Sequence, residues 1–176
     1  MRVIPLHLRP CSLGCDEHGP FWRFEMENGW FFTIDQPDRE ILGDHKWFVF
    51  RRRAHLRYVA RSENGLVLLH REIMQPKPYP IETVDHENGN GLNNRRYNLR
   101  IASRQQNRAN QRVSRGTSSG FRGVYPKGSR WQALISVGDK LRGLGTFADP
   151  AEAARAYDAA AIAGRGKFTY LNFPNA

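Results

Sequence analysis

Apolar and polar positions alternate with a two-residue period through much of the first eighty residues, the spacing of half-buried strands. FWRFEMENGWFFTI, 21–34, reads as two strands joined at Asn28-Gly29, a dipeptide that tolerates the positive φ of a hairpin turn. KWFVF at 46–50 and LRYVARS at 56–62 predict a second hairpin, with Arg51–Arg53 near its turn. Asn64-Gly65 begins a further turn, LVLLH at 66–70 reads as a buried strand, and QPKPYP at 75–80 punctuates the chain. Residues 1–80 are thus expected to form a β-rich lead-in, and no catalytic pattern stands out in them.

From residue 81 the grammar changes. IETVDH predicts a short strand ending at Asp85-His86, Asn88-Gly89 and Asn90-Gly91 make a loop, and NLRIA at 98–102 is a second short strand. Ser103 offers an N-cap and Gln106 completes a capping box, so Arg104–Arg112 reads as helix. Residues 113–119 are rich in Ser and Gly and read as a linker. Beyond it, FRGVY, RWQALISV and KLRGLGTF predict three strands with turns at Lys127-Gly128 and Gly138-Asp139. Asp149 and Pro150 suit the cap and first turn of a helix, in which Ala153, Ala154, Tyr157, Ala160 and Ala161 recur at helical spacing until Gly164. In RWQALISV, Trp131, Ala133, Ile135 and Val137 share one face. Arg130, Gln132, Leu134 and Ser136 share the other. The apolar face is expected to pack on the alanine-rich helix, with Trp131 as core, and the opposite face to stay open.

Composition narrows the class. With 40% hydrophobic residues the chain is globular rather than disordered. No window reaches the ~18 apolar residues of a membrane span, and Arg, His and Pro interrupt MRVIPLHLRPCSLGC, so no signal peptide is expected. A soluble protein of the cytoplasm follows, or of the host cytoplasm or nucleoid if the chain is phage-encoded. Cys11, Cys15 and His18, spaced C-x3-C-x2-H, are zinc-ligand types without an obvious fourth partner, and read as ordinary residues near a terminus.

Charge changes the picture more. The formal net charge is +10, and the window 88–138 contains no acid but nine Arg and one Lys. Arg donates two parallel hydrogen bonds to a phosphate, so a polyanionic partner, nucleic acid above all, is the leading expectation. Arg95, Arg96, Arg100, Arg104 and Arg108 are the expected backbone contacts.

The acid, histidine and amides of 85–107 suit phosphodiester chemistry. A divalent cation neutralises developing charge and prefers oxygen ligands. Asp85 offers a charged oxygen and Asn107 a neutral one, and a histidine near its ordinary pKa suits proton abstraction from water. Asn98 and Asn107 follow His86 by 12 and 21 residues. VDHENGNGLNNRRYNLRIASRQQN resembles the HNH endonuclease motif, in the His-Asn-Asn variant of phage and intron-associated homing endonucleases. The resemblance implies a ββα-metal finger over 81–112, with Asp85 and Asn107 binding Mg2+ or Mn2+ and His86 as general base. It further implies that Asn98 ties down the loop through backbone hydrogen bonds. His70, in LLHREI, reads as a helix-start or packing residue, since nothing local orients it for chemistry.

FRGV, the W-x-A-x-I strand, LGTF and AEAARAYDAAAIA closed by LNF make 120–174 resemble an AP2 DNA-binding domain. That family implies a three-stranded antiparallel sheet, packed on one helix, entering the major groove. Arg122 and Gly123 carry over from its RGV motif. Gly143 stands where a contacting aromatic is common, and Arg130, Gln132, Lys140 and Arg142 are the expected substitutes on strand parity and charge. The expectation is an α+β, metal-dependent DNA endonuclease acting on double-stranded DNA as a monomer, with an AP2 module for site choice. The alternative is a sequence-specific DNA-binding regulator with an inactive finger, and RNA binding is a third reading.

Overall fold

β1 (Cys11–Asp16), β2 (Gly19–Glu25) and β3 (Phe31–Asp35) pair antiparallel in that order. The structure is a computed structural model that describes residues 10–26, 29–53, 56–110, 118–137, 140–166 and 168–174. Asn28 and the turn at Gly138-Asp139 lie outside these residues, as does most of the expected linker. A 3-10 helix, Gln36–Leu42, follows β3 with proline in its first turn, where a missing N–H leaves no helical bond unmade. β4 (Phe48–Arg53), β5 (Leu56–Ser62) and β6 (Leu66–Leu68) form a second antiparallel sheet. The expected strand over 66–70 is shorter than predicted, because Leu69 and His70 already belong to α1 (Leu69–Met74). Leu69, His70 and Ile73 are its buried side, a helical spacing that a five-residue apolar run cannot reveal.

β7 (Thr83–His86) and β8 (Leu99–Ala102) form a two-stranded antiparallel pair in which Asp85 faces Arg100 and His86 faces Leu99. α2 (Arg104–Ala109) comes next. β9 (Val124–Lys127), β10 (Arg130–Val137) and β11 (Lys140–Phe147) make the last sheet, with β10 in the centre, before α3 (Pro150–Arg165). Asp149 caps α3 by accepting the N–H groups of Ala151 and Glu152, as its sequence predicts. The helix runs past Gly164 and is closed instead by Gly166, at φ 53°. Mixed α+β architecture, with antiparallel sheets and few helices, is thus the class observed. Among the described residues no helix is long and apolar enough to cross a membrane.

The chain divides into two compact units, Met1–Arg104 and Gln105–Ala176. In the first, Phe24, Phe32, Trp47, Val59, Leu69, Val84 and Leu99 belong to one buried cluster. The β-rich lead-in and the β7–β8 pair therefore share a core, and neither short element buries enough apolar surface alone. In the second, α3 lays Ala153, Ala154, Tyr157 and Ala161 against Val124, Ala133 and Ile135 of the sheet. Buried Asp158 accepts hydrogen bonds from the backbone N–H groups of Asn172 and Phe173, which pins LNF to the helix.

Gly123 shows how closely this unit is packed. Its φ is +72°, and a Cβ there would collide with the Tyr157 ring and the Leu134 carbonyl oxygen. Gly123→Ala is expected to destabilise the second unit by about 1–3 kcal/mol through strain and overpacking. Thermal melts of the full chain check this, with Gly120→Ala, where no atom lies within 4 Å of the added carbon, as the strain-only control.

Candidate functional site

In the first unit, the residues of interest gather at the end of β7. Asp85 Oδ2 accepts from Nε of Arg100 at 2.8 Å and forms an ion pair with its Nη2 at 2.8 Å, and Arg100 Nη1 reaches Glu87 at 3.2 Å. Asp85 and Arg100 are both nearly buried. His86 is 5% exposed and lies against His70, ring centroids 4.9 Å apart and edge-on, and against Tyr58 at 5.8 Å. Its Nε2 is 3.4 Å from Asn94 Oδ1, whose Nδ2 donates to the Leu92 carbonyl. The Asn94 oxygen in this position accepts from Nε2 when that nitrogen carries the proton. Burial lowers the His86 pKa to about 4, against a smaller upward pull from Asn94. Burial also holds His70 well below 6.5, helped by the neighbouring His86 and Arg71.

Asn98 spans the loop between β7 and β8. Its Oδ1 accepts the Asn88 N–H at 3.0 Å, its Nδ2 donates to the Asn93 carbonyl at 2.8 Å, and its own carbonyl accepts the Glu87 N–H. Asn88 and Asn90 accept backbone N–H groups two residues on, turns that need short amides. Asp85, His86 and Asn98 thus belong to the first unit. Asn107 lies on α2 within the second. These residues do not fit a hard divalent cation as arranged: the Asp85 carboxylate is taken by Arg100, and no cluster of three or more His, Cys, Asp or Glu able to hold a metal occurs among the described residues. Cys11 and Cys15 lie four apart on an extended strand, about 13 Å by strand rise, too far to share one zinc.

Three of the arginines expected to touch phosphate serve the fold. Arg95 is 2% exposed, donating to Asp16, Asp35 and the Gly19 carbonyl. Arg96 forms a two-point pair with Asp38, and Arg100 holds Asp85. Net charge counts these residues but cannot tell a buried pair from an open cation. Arg104 and Arg108 are exposed on α2.

In the second unit, Gln132 is registered against Tyr125 and Thr146, and Arg130 against Lys127. Opposite residues share a face, so Tyr125, Lys127, Arg130 and Gln132 line the side turned away from Ala133, Ile135 and α3. Tyr125 is 51% exposed there, and Leu141, registered against Ser136, is 66% exposed. Tyr125 and Leu141 were not among the residues expected from sequence, although the alternation of FRGVYPK places Tyr125 opposite to buried Val124. Arg142 corrects the parity reading. The register shifts between Ala133 and Leu134, which sets Arg142 opposite Ile135, with Lys140 two residues away on that same side. Both are exposed, but neither belongs to the Arg130–Gln132 face. Arg122 donates to the Tyr157 hydroxyl and the Arg108 carbonyl, and its N–H to Asn172, so with Gly123 it packs the unit.

No family model and no solved structure matches the chain. It is similar to a rice (Oryza sativa subsp. japonica) AP2/ERF and B3 domain-containing protein, 47% identical over 60 residues, covering 34% of this chain and 16% of that protein. It is also similar to an Arabidopsis thaliana ethylene-responsive transcription factor-like protein, 55% identical over 42 residues, covering 24% of this chain and 19% of that one. The chain therefore spans less than a fifth of the length of these curated relatives. The likeness supports an AP2-type DNA-binding domain.

His86 generates a pH prediction. The fold holds its neutral form to about pH 4, whereas an unfolded histidine takes its proton near 6.5. Its contribution to stability is complete above about pH 6.5 and is lost as the pH falls toward 4. The melting temperature should decline over that window, and less steeply in His86→Gln, as circular dichroism melts at successive pH values will read.

Proposed function

We propose that the protein binds double-stranded DNA through the open face of β9–β10–β11. The observation that carries this is one sheet with two unlike faces. One buries Ala133 and Ile135 on α3, and the other presents Tyr125, Lys127, Arg130 and Gln132. A strand sheet reads bases in the major groove by hydrogen-bonding side chains, and Arg and Gln are suited to guanine and adenine respectively. Both relatives carry AP2 or transcription-factor names, which favours a DNA-binding regulator over a nuclease as the whole reading.

A second reading, metal-dependent phosphodiester hydrolysis, is favoured by Asp85 and His86 ending a strand beside a loop tied down by Asn98. In this reading His86 accepts the proton of the attacking water. Mg2+ or Mn2+ would supply charge neutralisation only with Asp85 released from Arg100 to ligate it. One finger per chain implies a nick by a monomer.

Selection from a randomised duplex library followed by titration tests the first reading. Arg130→Ala and Gln132→Ala should each lower affinity for the selected site by about 1–3 kcal/mol and relax preference at one position. Unchanged affinity in both would overturn the assignment of this face. Incubation with supercoiled plasmid and Mg2+ or Mn2+ tests the second. Nicking that vanishes in His86→Ala and with a chelator supports hydrolysis, and an inert wild type that still binds leaves the regulator.

A further inference from the structure

We propose that the β4–β5 ribbon is a second binding surface for the sugar–phosphate backbone of duplex DNA, formed by Arg51, Arg52 and Arg57, with Trp30 stacked under Arg57. The proposal rests on the reading of the protein as DNA-binding and adds a surface made by the first unit's own residues.

Arg51 and Arg57 are directly opposite each other in the ribbon. Like charges at such positions disfavour a sheet, unless an anion lies between them. Four other arginines of the unit pair with carboxylates: Arg61 with Glu63 and Glu72, Arg95 with Asp16 and Asp35, Arg96 with Asp38 and Arg100 with Asp85. Among the described residues, Arg51, Arg52 and Arg57 have no acidic partner. None is near in sequence either, since 45–62 contains no Asp or Glu. Among the described residues the juxtaposition is therefore uncompensated, and an external anion would relieve it.

The geometry suits a phosphate. The Arg57 guanidinium lies 4.1 Å from the ring centroid of Trp30, which is itself 40% exposed. A stacked guanidinium is held in orientation while its N–H groups remain directed within its plane. Cross-strand neighbours stand about 5 Å apart at Cα, close enough for two guanidiniums to grip one phosphate. Between Arg51 and Arg53 the register shifts, which leaves exposed Arg52 without a ladder partner and twists the end of the ribbon.

The surface also adjoins the loop after β7. A Cβ on Gly91 would collide with the Arg57 carbonyl oxygen and the Tyr58 ring, and that ring is 5.8 Å from His86. Arginine's dominance over lysine and the two-stranded form, which a DNA groove admits, favour duplex DNA.

The test uses the full chain and a generic duplex, with the association constant measured between 50 and 200 mM salt. Arg51→Gln/Arg57→Gln should flatten the log–log salt slope by about 0.9, for the one phosphate no longer neutralised, so that the affinity deficit at 50 mM exceeds that at 200 mM about 3.5-fold. Arg51→Lys/Arg57→Lys should keep most of the slope, and Arg52→Gln alone should flatten it by about 0.9. A melting temperature unchanged or raised in Arg51→Gln would accompany this, because a repulsive pair has gone. If these variants keep the wild-type slope while Arg130→Ala weakens binding, the ribbon is refuted and DNA binding stands. Absence of salt-dependent duplex binding in the wild type sinks both. A slope change seen with single-stranded RNA but not with duplex DNA would overturn the choice of partner.

Discussion

A buried guanidinium organises the first unit. Arg95 is enclosed between the Phe21 and Tyr97 rings, and its donors are taken by Asp16, Asp35 and the Gly19 carbonyl. Removing one partner of such a group leaves its charge uncompensated in a low dielectric. Asp16 and Gly19 flank the turn between β1 and β2, and Asp35 ends β3. The loop preceding β8 is thereby tied to the first sheet. Asp35 also accepts the Arg96 N–H, and Thr33 exchanges backbone hydrogen bonds with the loop at Leu92 and Asn94. Asn94 and Asn98 inherit their positions from these ties, and His86 takes its orientation from Asn94.

In the second unit the controlling constraint is close approach. Alanines on α3 let the helix sit directly on the sheet, and glycine at 123 admits the Tyr157 ring. With one face committed to this packing, polar and cationic side chains of β9 and β10 are left to the other. The irregularity opposite Ala133 then reverses the parity of β11, so that Arg142 leaves the face that Arg130 occupies.

Positive charge serves both ends. Arg95, Arg96 and Arg100 close ion pairs inside the first unit, while Arg51 and Arg57 meet each other across a ribbon. One residue type thus fills two opposite roles within sixty residues. Burial and the nearest carboxylate separate the roles, and both are tertiary properties.

Local chemistry made most elements legible. The hairpin pattern of 21–34, the strands at Asp85 and Leu99, the three strands after 120 and the Asp149–Pro150 helix start all follow from alternation, turn residues and caps. β1, the 3-10 helix at Gln36–Leu42 and α1 were not legible, because each is short and takes its shape from the core it covers. Sequence by itself determined which residue types stand together: an Asp–His pair among amides, and a sheet with one apolar and one polar face. Only the tertiary structure decided which of them are available. Arg100 stands on Asp85, His86 is enclosed by His70 and Tyr58, and a one-residue register shift moves Arg142. Spacing along a chain does not record which distant carboxylate or ring will close over a side chain, and that closure sets its charge, exposure and partners.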